Sequence, residues 1–152
     1  MNVNKPTKTS SAQSENSGKN RQTLPEPVQT AFSDYPDEVK ASLVEARALV
    51  LQVKKDDPEI GELNETLRWG ELSYLTEKPK TGSILRLAMT KNGKPALFFH
   101  CGTTLVEQFR AQYSHVFEFE DNRALVLSQP VGETTAELKH CISQALRYRI
   151  DQ

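Results

Sequence analysis

One arginine and one tryptophan have the chemistry and the setting expected of ligand-binding side chains. Arg86 lies in the middle of an otherwise apolar run, and a guanidinium group in such a place needs an aromatic face or an anion as its partner. Trp69 is the only tryptophan of the chain and comes directly before Gly70. Because an indole combines a large apolar area with a polar N–H group, Trp69 could form the wall of a binding site or plug the core at a bend.

The candidate ligand site joins these two residues to three neighbours on a predicted sheet. The predicted register places Arg86 opposite the second of two adjacent phenylalanines, and helices on one sheet face would leave the other face open and concave. The candidate ligand-binding residues are Trp69, Tyr74, Arg86, Ala88 and Phe99. The pattern favours a small anionic molecule or a protein segment as ligand. The competing interpretation is an arginine that lies across a solvated sheet surface.

Three glutamates support a different hypothesis, in which the protein carries iron. Glu59, Glu62 and Glu65 recur every three residues in a stretch predicted to be helical. Hard cations require several oxygen atoms that converge on one point. A slanting row of surface carboxylates does not close such a shell, and carboxylates near the start of a helix also complement its dipole. Iron is therefore the alternative cofactor, and otherwise no cofactor is expected.

A cysteine-dependent enzyme is the third and weakest hypothesis. Cys101 ends a predicted strand just before a helix begins, where backbone N–H groups favour an anion. Its neighbour His100 would point to the opposite face of the sheet, so the two cannot form a base and thiolate pair. No catalytic residue is predicted, and no glycine-rich phosphate loop is present in the sequence.

Composition predicts a single domain behind a polar tail. Residues 1–31 contain almost no large apolar side chains and are predicted to be disordered, whereas residues 32–152 form the domain. The net charge of −1 offers no broad attraction to nucleic acid. Two widely separated cysteines and the lack of an apolar leader or membrane-length segment predict a cytoplasmic protein without a membrane partner.

The predicted fold is α+β, with the element order helix, helix, three strands, helix, two strands, helix. Helices are expected within residues 32–55 and 57–68, and two-residue hairpin turns at Asn92 and Gly93 and at Asp121 and Asn122. The strands form a twisted antiparallel sheet of about five strands, with helices packed mainly on one face. Since both faces of the sheet are partly apolar, a homodimer is also expected.

Four segments resemble the uncharacterised YdhG-like family, a bacterial cytosolic domain of unknown function. They are "TLRWGELSYL", "ALFFHCGTTLVEQFRAQY", "FEFEDNRALVL" and "LKHCISQALRY", and the resemblance extends roughly from Phe32 to Tyr148. It implies an α+β domain loosely like frataxin, and some relatives are described as iron-handling proteins. It implies no established reaction. The family often has glycine where this chain has Asp121 and histidine where it has Arg149, and the second difference removes a possible metal ligand.

Overall fold

The computed structural model describes residues 23–151, which contain four α-helices, six strands and one short 3₁₀ helix (Val131–Glu133). The helices are α1 (Glu26–Phe32), α2 (Asp37–Asp56), α3 (Leu105–Tyr113) and α4 (Thr135–Leu146). The strands are β1 (Glu62–Arg68), β2 (Glu71–Glu77), β3 (Leu85–Met89), β4 (Pro95–Phe99), β5 (Glu118–Glu120) and β6 (Ala124–Val126). The α+β prediction is confirmed, with six strands rather than about five.

All six strands pair antiparallel in one sheet, in the order β1-β2-β3-β4-β6-β5. Alternate residues of β2 and β3, such as Leu72 and Leu87, belong to the same core as the buried faces of the four helices. Ser73 and Arg86 pair between them and point to the opposite face, away from this core. Within residues 23–151, no helix has both the length and the apolar character needed to cross a bilayer.

The prediction of a second helix over residues 57–68 is wrong, because most of this stretch is the edge strand β1. It pairs with β2 along its whole length, from Glu62 opposite Glu77 to Arg68 opposite Glu71. The two strands are joined by Trp69 and Gly70, which both have positive φ angles, 54° and 79°. Two consecutive left-handed residues are typical of the type I′ turn that matches strand twist. Hairpin pairing therefore outweighs the helical spacing of the apolar residues.

Helix α1 falls within the stretch predicted to be a disordered tail, so the predicted boundary at residue 31 is wrong. Val28, Ala31 and Phe32 have the spacing of one helix face, and all three are buried in the core. Pro25 precedes the helix, where the missing N–H of proline costs no hydrogen bond. The prediction for residues 1–22 lies outside the described residues.

The β3–β4 and β5–β6 hairpins both differ by one residue from the predicted register. In the β3–β4 hairpin, the Thr90 N–H donates to the Lys94 carbonyl at 2.8 Å, so the loop has three residues and ends on Gly93 with a φ of 80°. Arg86 therefore pairs with Phe98 instead of Phe99. The β5–β6 hairpin likewise pairs Glu120 with Ala124, across a three-residue loop. A shift of one residue in the register moves each side chain to the other face relative to its partner strand. Phe99 therefore lies on the face opposite that of Arg86.

Candidate functional site

The structure does not bring the five predicted ligand-binding residues to one surface. Trp69 and Arg86 contact each other on the side of the sheet that faces away from the helical core. Ala88 is on the same side but is completely buried, opposite Ala96. Tyr74 and Phe99 point to the helical side and belong to the core. Trp69 and Arg86 therefore share one surface, whereas the strand pairing directs the two other aromatic residues to the opposite face. That this surface binds a ligand stays a prediction.

Both of these aromatic residues have well-defined core partners. The Tyr74 hydroxyl donates a hydrogen bond of 2.6 Å to Oε2 of Glu65, its partner on β1. Burial raises the pKa of Tyr74 far above its ordinary value, and the neighbouring Glu65 carboxylate raises it further. Phe99 packs edge-on against Phe109 of α3, with ring centroids 5.2 Å apart. These contacts stabilise the packing of the helices on the sheet and leave neither ring available to a ligand.

Trp69, in contrast, is a surface residue held in place by an arginine. Its side chain is 79% exposed. The guanidinium carbon of Arg86 lies 4.8 Å from the centre of the indole ring, within the range of a cation–π contact. The interpretation of Trp69 as a core plug is therefore wrong. It lies at the tip of the β1–β2 hairpin, which places the indole beside the strand that carries Arg86.

A cleft with a volume of about 460 Å³ opens next to this pair. Its walls come from the β1–β2 hairpin, the β2–β3 loop, the start of β3, the β4–α3 loop and the residues that follow α4. Two backbone hydrogen bonds fix the last segment against the β2–β3 loop: the Ser83 N–H donates to Ala145 at 2.9 Å, and the Arg149 N–H donates to Thr81 at 2.8 Å. The cleft is therefore built by segments that lie far apart in the sequence.

Positive charge dominates the lining of this cleft, which we call the cationic cleft. Its charged lining residues are Arg68, Lys80, Arg86 and Arg149, with His100 beside them, and no aspartate or glutamate contributes to the lining. The nearest carboxylate oxygen to Arg86 belongs to Glu71, at 4.0 Å from Nε, and that Nε atom has no hydrogen-bond partner among the described residues. Arg68, Lys80 and Arg149 form no ion pair within residues 23–151. Anions are the ligands that such a lining attracts.

The three glutamates of the iron hypothesis do not converge. Glu59 lies in the turn before β1, with its carboxylate 3.0 Å from Nη1 of Arg147. Glu62 is exposed on β1. Glu65 points to the core and receives hydrogen bonds from Arg47 at 2.7 Å and 3.1 Å. The helix that would align them is absent, and in the described part of the chain no group of three His, Cys, Asp or Glu side chains could hold a metal ion.

The two cysteines occupy different environments, and neither lines the cationic cleft. Cys101 is exposed, whereas Cys141 is buried on α4. Burial, together with the nearby Glu137 carboxylate, raises the pKa of Cys141 to about 12. His100 does line the cationic cleft, and its Nδ1 atom accepts a hydrogen bond of 2.9 Å from the Gly102 N–H. The arrangement therefore contains no thiol and imidazole pair directed at the cleft.

Comparison of the chain with protein-family models, curated proteins and solved structures finds no match. The resemblance to the YdhG-like family therefore stays a prediction. So does the iron-handling role that this resemblance implies.

Sequence reasoning missed most of the cationic cleft. Arg68, Lys80 and Arg149 lie at the ends of elements or in loops, where basic residues are common and carry no periodic signal. The signal that could have identified them is their position beside bends, in "LRWG", "KPKTG" and "YRID". The packing of the end of α4 against the β2–β3 loop brings the second and third segments together, and the pairing of β1, β2 and β3 positions the first.

Proposed function

We propose that the protein is a binding module that holds a small anionic molecule in the cationic cleft. The observation that carries this proposal is the lining itself: four cationic side chains, no carboxylate, and space of about 460 Å³. Small-molecule sites typically occupy about 300–1,000 Å³, so a molecule of metabolite size fits. We assign binding rather than covalent catalysis to the cleft, because His100, the imidazole of the lining, is hydrogen-bonded to a backbone N–H and to no hydroxyl or thiol of the lining.

The local charge is notable because the chain as a whole has a net charge of −1. Like charges around one cleft repel one another, and three of the four here, those of Arg68, Lys80 and Arg149, have no ion-pair partner within residues 23–151. A bound anion removes the repulsion and supplies hydrogen-bond acceptors to guanidinium groups, whose planar donors suit carboxylate and phosphate oxygens. The same reasoning accounts for Arg86, whose Nε lacks a hydrogen-bond partner within residues 23–151.

Thermal unfolding in the presence of simple anions tests the proposal. Pyrophosphate, phosphate and citrate are each titrated at constant ionic strength, and a ligand that binds only the folded state raises the Tm according to its concentration. We expect at least one of them to raise the Tm of the wild-type protein. The double variant Lys80→Gln with Arg149→Gln removes two charges at the cleft and should lose most of that rise.

The matched control is Lys91→Gln, which removes a positive charge from an exposed hairpin loop outside the cleft. This variant should retain the full anion-dependent rise. An equal rise in all three proteins would show that anions act on general charge, and no rise with any anion would also contradict the proposal. Salt dependence provides a second check, since binding driven by these charges weakens as ionic strength increases.

A further inference from the structure

We infer that the ligand of the cationic cleft carries a planar ring that stacks on Trp69, so that its class is a phosphorylated heteroaromatic compound of mononucleotide size. This inference rests on the proposed anion-binding function and extends it from a charge to a ligand class. The observations that carry it are the conformation and exposure of Trp69, its contact with Arg86, and the charge and volume of the cleft.

Folding alone does not account for a tryptophan at position 69. The residue has a φ of 54°, in the left-handed region that favours glycine, asparagine and aspartate in a type I′ turn. Bulky residues are disfavoured there, and a buried indole could offset the strain through packing. Here the side chain is 79% exposed and buries little surface. The left-handed backbone conformation and the exposed apolar surface of Trp69 thus both lower the stability of the fold. Backbone strain of this kind is common at binding sites.

Arg86 holds the indole of Trp69 in an orientation in which a ligand ring could stack on it. Its guanidinium group lies 4.8 Å from the ring centre and covers part of the indole surface. The high exposure of Trp69 leaves the remaining ring surface to solvent at the mouth of the cationic cleft. A planar ring that stacks there would extend the Arg86–Trp69 pair into a stack of three, and its charged group could reach the cationic lining.

The charge of the cleft favours phosphate over a single carboxylate as the anionic group. A phosphate monoester carries a charge of about −1.5 to −2 at neutral pH and three strong acceptor oxygens. Four cationic side chains without an opposing carboxylate in the lining match a group with more than one negative charge. The cleft volume of about 460 Å³ limits the ligand to a small molecule, and one ring joined to one phosphorylated sugar is of that size.

The single tryptophan of the chain makes the test specific, because intrinsic indole fluorescence reports only on Trp69. AMP, GMP, CMP and UMP are titrated beside ribose 5-phosphate, which has the same phosphate and sugar but no base. We expect at least one nucleotide to quench the fluorescence strongly. Calorimetry should show that it binds about fivefold to about a hundredfold more tightly than ribose 5-phosphate, the range for one base stacked on an aromatic side chain.

Two variants separate the ring from the charge. Trp69→Leu should bind ribose 5-phosphate as the wild type does but lose the preference for the nucleotide, whereas Trp69→Phe should keep part of it. If every nucleotide binds no better than ribose 5-phosphate, or if the preference survives in Trp69→Leu, the inference is wrong while anion binding stands. If neither ribose 5-phosphate nor any nucleotide nor pyrophosphate binds, the proposed function fails as well.

Discussion

The hydroxyl group of Tyr74 donates a 2.6 Å hydrogen bond to the carboxylate of Glu65, its partner across the β1–β2 hairpin. Arg47 of α2 binds the same carboxylate through two nitrogen atoms, and the side chains of Arg47 and Glu65 are each only 16% exposed. The sequence alone suggests Tyr74 for a ligand site and Glu65 for a metal site. Together with Arg47 they instead connect the longest helix to the edge of the sheet.

We predict that Glu65→Gln lowers the free energy of unfolding by about 2–4 kcal/mol, because it leaves the largely buried Arg47 without its counter-charge. Tyr74→Phe should cost less, about 1–2 kcal/mol, since Glu65 keeps its two hydrogen bonds from Arg47. Urea denaturation followed by circular dichroism measures both values. The control is Glu62→Gln on the same strand, where the side chain is exposed and a change within about 0.5 kcal/mol is expected. Equal losses at positions 62 and 65 would contradict the assignment.

The long helices were predictable from the sequence because their apolar spacing repeats over many residues. In α2, the five residues predicted for one face, Val39, Leu43, Ala46, Val50 and Val53, are the buried ones. Strand β1 is short, and the spacing of its residues Leu63 and Leu67 fits one face of a helix as well as one face of a strand. Only pairing with β2 along the whole strand decides between the two, and no local pattern reveals that contact.

The candidate site was less predictable, because the register of strand pairing decides which face of the sheet each residue occupies. Arg86 and Trp69 could be recognised individually, as a charge in an apolar strand and a single indole beside a glycine. Phe99 was misassigned because the β3–β4 loop has three residues rather than two, which moves every partner in that hairpin by one position. Tyr74 was misassigned because its face depends on the pairing of β2 with β1 and β3. The cationic residues from loops and chain ends meet only in the folded protein.

Gly82 is the position at which the cationic cleft depends most on the absence of a side chain. A Cβ atom there would lie 2.6 Å from the Leu146 carbonyl oxygen and 2.7 Å from that of Ala145. We predict that Gly82→Ala costs about 2–3 kcal/mol and weakens anion binding, because the β2–β3 loop must move away from the end of α4.

Gly132→Ala is the control for this substitution, since nothing lies within 4 Å of a Cβ atom at that position. Its free energy of unfolding should stay within about 0.5 kcal/mol of the wild type. Thermal unfolding with and without pyrophosphate measures stability and binding in the same samples. A Gly82→Ala protein with unchanged stability and unchanged anion response would contradict the close packing at this loop.

Asp57 should make the stability of the protein depend on acid pH. Burial alone would raise the pKa of this carboxyl group, but the hydrogen bonds from Arg147, at 2.7 Å, and from the Glu59 N–H outweigh it and hold the pKa below its ordinary value. A carboxylate with a lowered pKa in the folded state stabilises the protein above its unfolded pKa of about 3.9. This stabilisation is lost as the pH falls from there through the folded value.

The test compares the wild type with Asp57→Asn, which keeps a side-chain oxygen for the Glu59 N–H but carries no charge. The wild type should be more stable at pH 6, and the difference should shrink as the pH is lowered below about 4. Urea titrations at a series of pH values measure the difference directly. A constant difference across this range would show that the charge of Asp57 does not contribute to the stability.

Trp69→Asn tests whether the indole contributes to the stability of the fold or only to binding. Asparagine suits the left-handed conformation at position 69, which relieves strain of about 1 kcal/mol, while the lost contact with Arg86 costs about 0.5–1 kcal/mol. We therefore expect the free energy of unfolding to stay within about 1 kcal/mol of the wild type, whereas removing a buried aromatic residue, as in Phe109→Ala, costs about 3–5 kcal/mol. Urea unfolding followed by circular dichroism compares the variants, because the asparagine protein has no tryptophan to report by fluorescence. A loss of about 3 kcal/mol or more in Trp69→Asn would mean that the indole stabilises the fold, and stability rather than binding would then explain why tryptophan occupies this position.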